Sequence, residues 1–141
     1  MHPSLNLLAV LNLLGAAQGL LLTLALLRAK GGDRTANRIL AALTITISIV
    51  VSGAVLLTTN YVFMFPHLSR LHHPFVFLGG PLLFLYIRTL TSNEKRFAKK
   101  DFFHFAPFAL CLIYLLPYYF QGRDAKLASL WSEFNQRSLG Q

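Results

Sequence analysis

Three histidines and an arginine crowd into one short stretch of this 141-residue chain: His67, Arg70, His72 and His73, with Asn60, Tyr61 and Ser69 nearby. Imidazoles ligate metals and exchange protons near neutral pH, and a guanidinium forks two hydrogen bonds onto a carboxylate or phosphate. Asn60, Tyr61, Arg70, His72 and His73 are accordingly the candidate ligand-binding residues. Spacing argues against a metal. His72 and His73 are adjacent, so a helix would point them apart, and the stretch holds no carboxylate to orient a ligand histidine. No metal and no cofactor is expected. The competing role for the cluster is hydrogen bonding at a membrane surface.

The rest of the chain offers little for catalysis. Its carboxylates are Asp33, Glu94, Asp101, Asp124 and Glu133, and none belongs to a catalytic pair. No phosphate-binding loop, zinc-protease helix or nucleophile elbow is present. The single cysteine, Cys111, lies in an apolar run, which excludes an internal disulfide and a cysteine-based metal site. An enzyme is not expected.

The elements that must position these residues follow from composition. Hydrophobic residues make up 55% of the chain and charged residues 13%, about half the usual charged share of a soluble domain. The apolar residues fall in four blocks, at about 5–27, 39–58, 71–90 and 102–120. Each is close to the roughly 20 residues that cross a bilayer. The blocks are continuous rather than alternating, which argues against a β-barrel. The expected fold is all-α, a polytopic membrane protein of four transmembrane helices with the lipid bilayer as its main partner. Asp33 or Thr35 is expected to cap the second helix and Asp101 the fourth. The first block does not read as a secretory signal, because no Lys or Arg precedes it and Arg28 and Lys30 follow it directly.

A net charge of +8 can signal nucleic-acid binding, but here the basic residues sit mostly in loops. The first loop holds Arg28, Lys30, Arg34 and Arg38, and the third holds Arg88, Lys95, Arg96, Lys99 and Lys100. The second holds only Arg70. The positive-inside rule therefore puts loops one and three in the cytoplasm and the N-terminus, the second loop and the C-terminal tail outside. No direct nucleic-acid contact is expected.

Other residues are candidates for packing or movement. Asn12, Gly15, Ala16, Gly19 and Thr23 share a narrow arc of the first helix, and Thr44, Ser48 and Ser52 form a stripe on the second. In lipid, such faces pack closely and hydrogen-bond across helices, so Asn12, Gly15, Gly19, Ser48 and Ser52 are the expected contact residues. Gly79-Gly80-Pro81 interrupts the third block and is either a hinge or a static kink. Residues 121–141 form an extracytoplasmic tail whose Leu127, Leu130, Trp131 and Phe134 could line one face of a short amphipathic helix or belong to a frayed end.

Several segments also carry a resemblance. They are Gly15-Ala16-Ala17-Gln18-Gly19, Ala36-Asn37-Arg38-Ile39-Leu40-Ala41, Phe65-Pro66-His67-Leu68, Gly80-Pro81-Leu82-Leu83-Phe84-Leu85-Tyr86-Ile87-Arg88 and Asp101-Phe102-Phe103-His104-Phe105-Ala106-Pro107-Phe108. In this order they resemble the N-terminal membrane region of bacterial membrane-anchored AraC-type transcriptional regulators. The likeness spans about residues 12–120. It implies a sensor region in the bacterial inner membrane, followed in such regulators by further spans and a helix-turn-helix domain. This chain has no helix-turn-helix segment, so the expectation is a truncated or free-standing sensor or anchor. Its expected partners are further transmembrane helices or a second copy, and its signal is unspecified. The rival expectation, from a different class, is a small transporter or transporter subunit. Against it, no carboxylate lies inside a block, where ion-coupled transporters place them.

Overall fold

The computed structural model describes residues 6–91 and 99–139. Leu5 at the start of the first block, Glu94, Lys95 and Arg96 of the third loop, and residues 140–141 lie outside the described residues, as do the side chains of Lys99 and Lys100. The helices are α1 (Leu7–Arg28), α2 (Arg34–Thr58), α3 (His72–Val76), α4 (Gly79–Thr91), α5 (Ala106–Tyr119) and α6 (Arg123–Leu139), with 3-10 turns at Tyr61–Phe63, Pro66–Leu68 and Lys99–Phe105. No strand occurs among the described residues. Four stretches are long and apolar enough to cross a membrane: Leu7–Arg28, Arg34–Thr58, His72–Thr91 and Asp101–Tyr119.

Helix α1 carries leucines on every side, with Leu7, Leu8, Leu14 and Leu21 all more than half exposed. A helix of that kind needs an apolar surround, because nothing in its pattern selects one face for a core. Only Ala9, Ala16 and Thr23, seven residues apart, are buried. Asn6 caps its start, its side chain accepting from the Ala9 amide at 2.8 Å. After a tight loop, Asp33 caps α2 by accepting from the Thr35 amide at 2.8 Å. Asn37 closes the loop by donating to the Gly31 carbonyl at 3.2 Å.

Helix α2 is the centre of the bundle. It packs along α1 on one side and against α3 and α4 on the other, while α5 lies against α3. The α1–α2 seam is built from small polar residues. The Thr23 and Thr44 hydroxyls are 2.7 Å apart. Each has one proton, so one donates across the seam and the other to its own helix, at Gly19 O (2.8 Å) or Ala41 O (3.0 Å). A Cβ built at Gly19 would run into the Ser48 hydroxyl, so the glycine is what lets the two backbones approach.

The third block is not one helix. Helix α3 ends at Val76, Phe77 and Leu78 form a turn, and α4 starts at Gly79. Pro81 has no amide to give to the Phe77 carbonyl four residues back, so the regular ladder stops there. The amides of Phe77 and Leu78 turn instead to Pro74 O and Phe75 O, both at 3.0 Å, in the tighter three-residue pattern. The four-residue pattern resumes with Leu82 N to Leu78 O at 3.0 Å. The break thus precedes Gly79-Gly80-Pro81 by two residues.

The expected role of Asp101 needs correction. Helix α5 begins five residues later, at Ala106, with Phe105 at the cap position and no side-chain capping bond. Asp101 lies in the preceding 3-10 turn and pairs with Arg88 from α4. A buried carboxylate gains more from a full cation than from a single helix amide, and the tight turn brings it to that cation. Pro107 falls at the second position of α5, where its missing amide costs nothing.

Candidate functional site

The segment between α2 and α3 closes one end of the bundle, and α6 folds back over it. Asn60 and Arg70 bracket the segment, and both adopt left-handed backbone conformations, with φ of 62° and 60°. Asn tolerates this conformation, whereas Arg pays a steric cost of about 1–2 kcal/mol. Arg70 is held there from several directions. Its carbonyl accepts from the Tyr119 hydroxyl at 3.2 Å and from the His73 amide at 3.1 Å. Its guanidinium pairs with Glu133 of α6 and lies 4.8 Å from the centre of the Tyr118 ring. Strain of this sort persists where the surroundings over-determine a residue, a circumstance common at ligand sites and switches.

Helix α6 supplies the rest of the cover. Its apolar residues face the loop: Leu130 is buried, and Trp131 and Phe134 lie 5.0 and 6.3 Å from the Phe63 ring. Lys126, on the same helix, is 2% exposed. Its ammonium donates to Tyr119 O at 3.0 Å and to His67 Nδ1 at 3.2 Å, which requires the His67 tautomer protonated at Nε2. It also lies 5.7 Å from the Tyr118 ring, so two cations, Arg70 and Lys126, attend one aromatic face system. Buried Ser69 shares a 2.5 Å hydrogen bond with the Tyr118 hydroxyl.

Beneath α6 is a cavity of about 280 Å³, into which Asn60, Arg70 and His73 project from the loop and α3, and Glu133 from α6. The remaining wall is apolar and aromatic, and includes Phe63, Phe77, Leu115 and Tyr114. A few polar groups at one side of an apolar hollow is the usual composition of a small-molecule site. Phe77 matters most for what the cavity could do, because it belongs to the two-residue break between α3 and α4.

The five candidate ligand residues therefore separate. Asn60, Arg70 and His73 line one cavity. Tyr61 sits in the adjoining 3-10 turn and is not part of the wall. His72 turns the opposite way, toward α2, and its ring packs on the bare Cα of Gly53, where a Cβ would collide with it. Its Nδ1 is buried without a hydrogen-bond partner among the described residues. Among the described residues no group of three or more His, Cys, Asp or Glu side chains comes together as a metal site would require.

The candidate packing residues also divide. Gly19 and Ser48 meet, as above, and Ser52 lines a hollow between α2 and α3 with His72. Asn12 and Gly15 are exposed, and a Cβ at Gly15 would meet nothing within 4 Å. Gly79 and Gly80 likewise have open space where a Cβ would be.

Glu133, Lys126 and Gly53 were not singled out from the sequence. Glu133 and Lys126 are distant in sequence from the loop they complete, and nothing local marks them. Gly53 carried a signal, as a lone glycine in a run of β-branched and apolar residues, which marks close approach of a neighbour. No family model matches the chain, and comparisons with curated proteins and with solved structures find no match.

Proposed function

We propose that the chain is a membrane-embedded sensor and anchor region of the kind that serves AraC-type transcriptional regulators. In this reading its four apolar stretches cross the bacterial inner membrane. The Arg70 end faces outward, and the ends bearing Arg34 and Arg88 face the cytoplasm. The bilayer supplies the apolar surround that α1 and α5 lack in the protein itself. Contact with DNA is not assigned to this chain.

The observation that carries the proposal is the position of Phe77. It is at once part of the wall of the cavity beneath α6 and part of the break in the third crossing. A molecule entering the cavity favours one angle of that break over another, and α4 carries the difference to Arg88 and Asp101 at its far end. A preference of only ~1–3 kcal/mol for one state suffices to shift the populations usefully. The order and spacing of the segments that resemble the AraC-type membrane regions support the same reading.

The test has two parts. Reporter fusions after Leu57, Arg88 and Gln141 should report outside, inside and outside; a cytoplasmic signal from the last rejects the topology. Cys111, the only cysteine, lines the cavity, so its labelling by a membrane-permeant thiol reagent reports occupancy. Small molecules that slow labelling should do so less in Arg70→Ala. Net solute uptake by liposomes carrying the purified chain would replace the sensor reading with a transporter.

A further inference from the structure

At the bundle end opposite Arg70, the loop between α1 and α2 gathers Arg28, Lys30, Arg34 and Arg38 around one hollow of about 230 Å³. None of the four has a salt-bridge partner among the described residues. The nearest carboxylate in sequence, Asp33, is engaged in capping α2. Arg34 and Arg38 are placed against the field of their own helix, since the first turn of α2 is its positive end and holds no acidic residue. Four cations against the single carboxylate of Asp33 leave a net positive pocket at this helix N-terminus. The loop is pinned by the Asn37–Gly31 hydrogen bond, so the pocket needs little further ordering.

One residue leads out of it. Arg38 also lines a second, larger hollow of about 460 Å³ between α2, α4 and the 3-10 turn before α5, walled chiefly by Ile39, Ala42, Leu82, Leu85, Phe102 and Phe105. Its one acidic member, Asp101, is neutralised by Arg88. The arrangement is graded: cations at the loop, Arg38 one turn along α2, then an apolar groove descending along the helices. A free phosphate would use only the first part and leave the groove unfilled. A nucleic acid would have no use for the groove either. A molecule with an anionic head and a hydrocarbon chain uses both.

We infer that this double hollow is a binding site for an anionic phospholipid, with the headgroup phosphate among Arg28, Lys30, Arg34 and Arg38 and one acyl chain along α2 and α4. The inference rests on the membrane placement proposed above but not on the sensing role. It distinguishes a specific site from the general attraction of cationic loops to anionic membranes. The specific site requires the groove as well as the charge. It also places a lipid against α4, the segment below the break, so lipid composition would bias the same element.

The experiment is native mass spectrometry of the full chain, released from micelles containing equal amounts of phosphatidylglycerol and phosphatidylcholine. Phosphatidylglycerol should be retained in preference by about tenfold. The double variant Arg34→Ala/Arg38→Ala should abolish the preference, and Arg123→Ala, which removes a cation at the other end, should keep it. Ala42→Phe, which fills the groove without touching charge, should also reduce retention, with circular dichroism showing both variants still helical. Equal retention of the two lipids by the unaltered chain overturns the inference. So does displacement of the lipid by glycerophosphoglycerol, its headgroup without chains, at matching concentration, or tight retention of duplex DNA by the same arginines. Alkaline extraction of vesicles separates the underlying reading. A chain that leaves the membrane refutes the membrane placement, whereas one that stays without lipid preference refutes only the site.

Discussion

Glycine does opposite jobs in two regions of this molecule. Along α2, Gly19 of the facing helix and Gly53 sit where a neighbour fills the space of the missing Cβ: the Ser48 hydroxyl in one case, the His72 ring in the other. At the head of α4, Gly79 and Gly80 face open space. The first pair is there for closeness. The second pair meets no neighbouring helix: Gly80 precedes Pro81, whose ring would crowd a Cβ there in a helical backbone, and Gly79 adds backbone freedom next to a break that already lacks one hydrogen bond. A tight seam and a helix start beside a proline break thus share the same residue type, and the sequence pattern that marks one also marks the other.

The comparison can be broken most severely at Gly53. Even Gly53→Ala should lower stability by about 1–3 kcal/mol, because the atoms it meets include the Cβ and ring root of His72, which cannot swing aside. Thermal unfolding in detergent micelles, followed by circular dichroism, reads this as a lower midpoint. An unchanged midpoint would mean that α3 does not press on α2. Gly19→Ala should cost less, since the Ser48 hydroxyl can rotate away.

Next in size is Arg70. Arg70→Ala should lower stability by about 1–2 kcal/mol, a modest sum because both partners of the ion pair are partly exposed. Arg70→Gly removes the same contacts but relieves the left-handed backbone, and should be the more stable of the two by about 1 kcal/mol. If alanine and glycine behave alike, the strained conformation of Arg70 is not retained in solution.

The seam itself should respond mildly. Thr23→Val removes the hydroxyl contact with Thr44 while keeping shape, and interhelical hydrogen bonds in membrane proteins average about 0.6 kcal/mol. A loss well above 1.5 kcal/mol would show that the two hydroxyls act as a unit with the carbonyls they meet. The smallest effect on stability, and of opposite sign, is expected at the head of α4. Gly79→Ala should raise stability by roughly 0.5 kcal/mol, since a helical alanine fits the open space and, unlike Gly80, Gly79 does not precede Pro81. Its consequence should appear elsewhere, as a weaker dependence of Cys111 labelling on added ligands. A destabilised Gly79→Ala would place a neighbour against that face and end the contrast with Gly53.

Much of the fold was legible because apolar length is a local property. The four blocks stand out without any tertiary information, and the cap at Asp33 follows from its position before a helical run. Asp101 has the same local signature, yet it lies five residues before α5 and pairs with Arg88. The reason is that a carboxylate's partner is chosen by which cation the fold brings near. The loop cluster was legible as a group of polar residues, but not its division into Asn60, Arg70 and His73 on one side and His72 on the other. Successive residues of a helix point about 100° apart, so His72 and His73 had to diverge, but which of them meets α2 is set by how α3 packs.

Composition, apolar block length and the missing amide of Pro81 were determined by the sequence alone, since each acts within a few residues along the chain. The positions of Glu133 over Arg70 and Lys126 beside His67 were decided only by tertiary structure. So was the sharing of Arg38 between a charged pocket and an apolar groove. These pairings join residues separated by tens of positions, and nothing nearby in the sequence distinguishes Glu133 from an ordinary solvated carboxylate. They exist because α6 returns to the end from which α3 departs, and because α4 lies beside the first turn of α2.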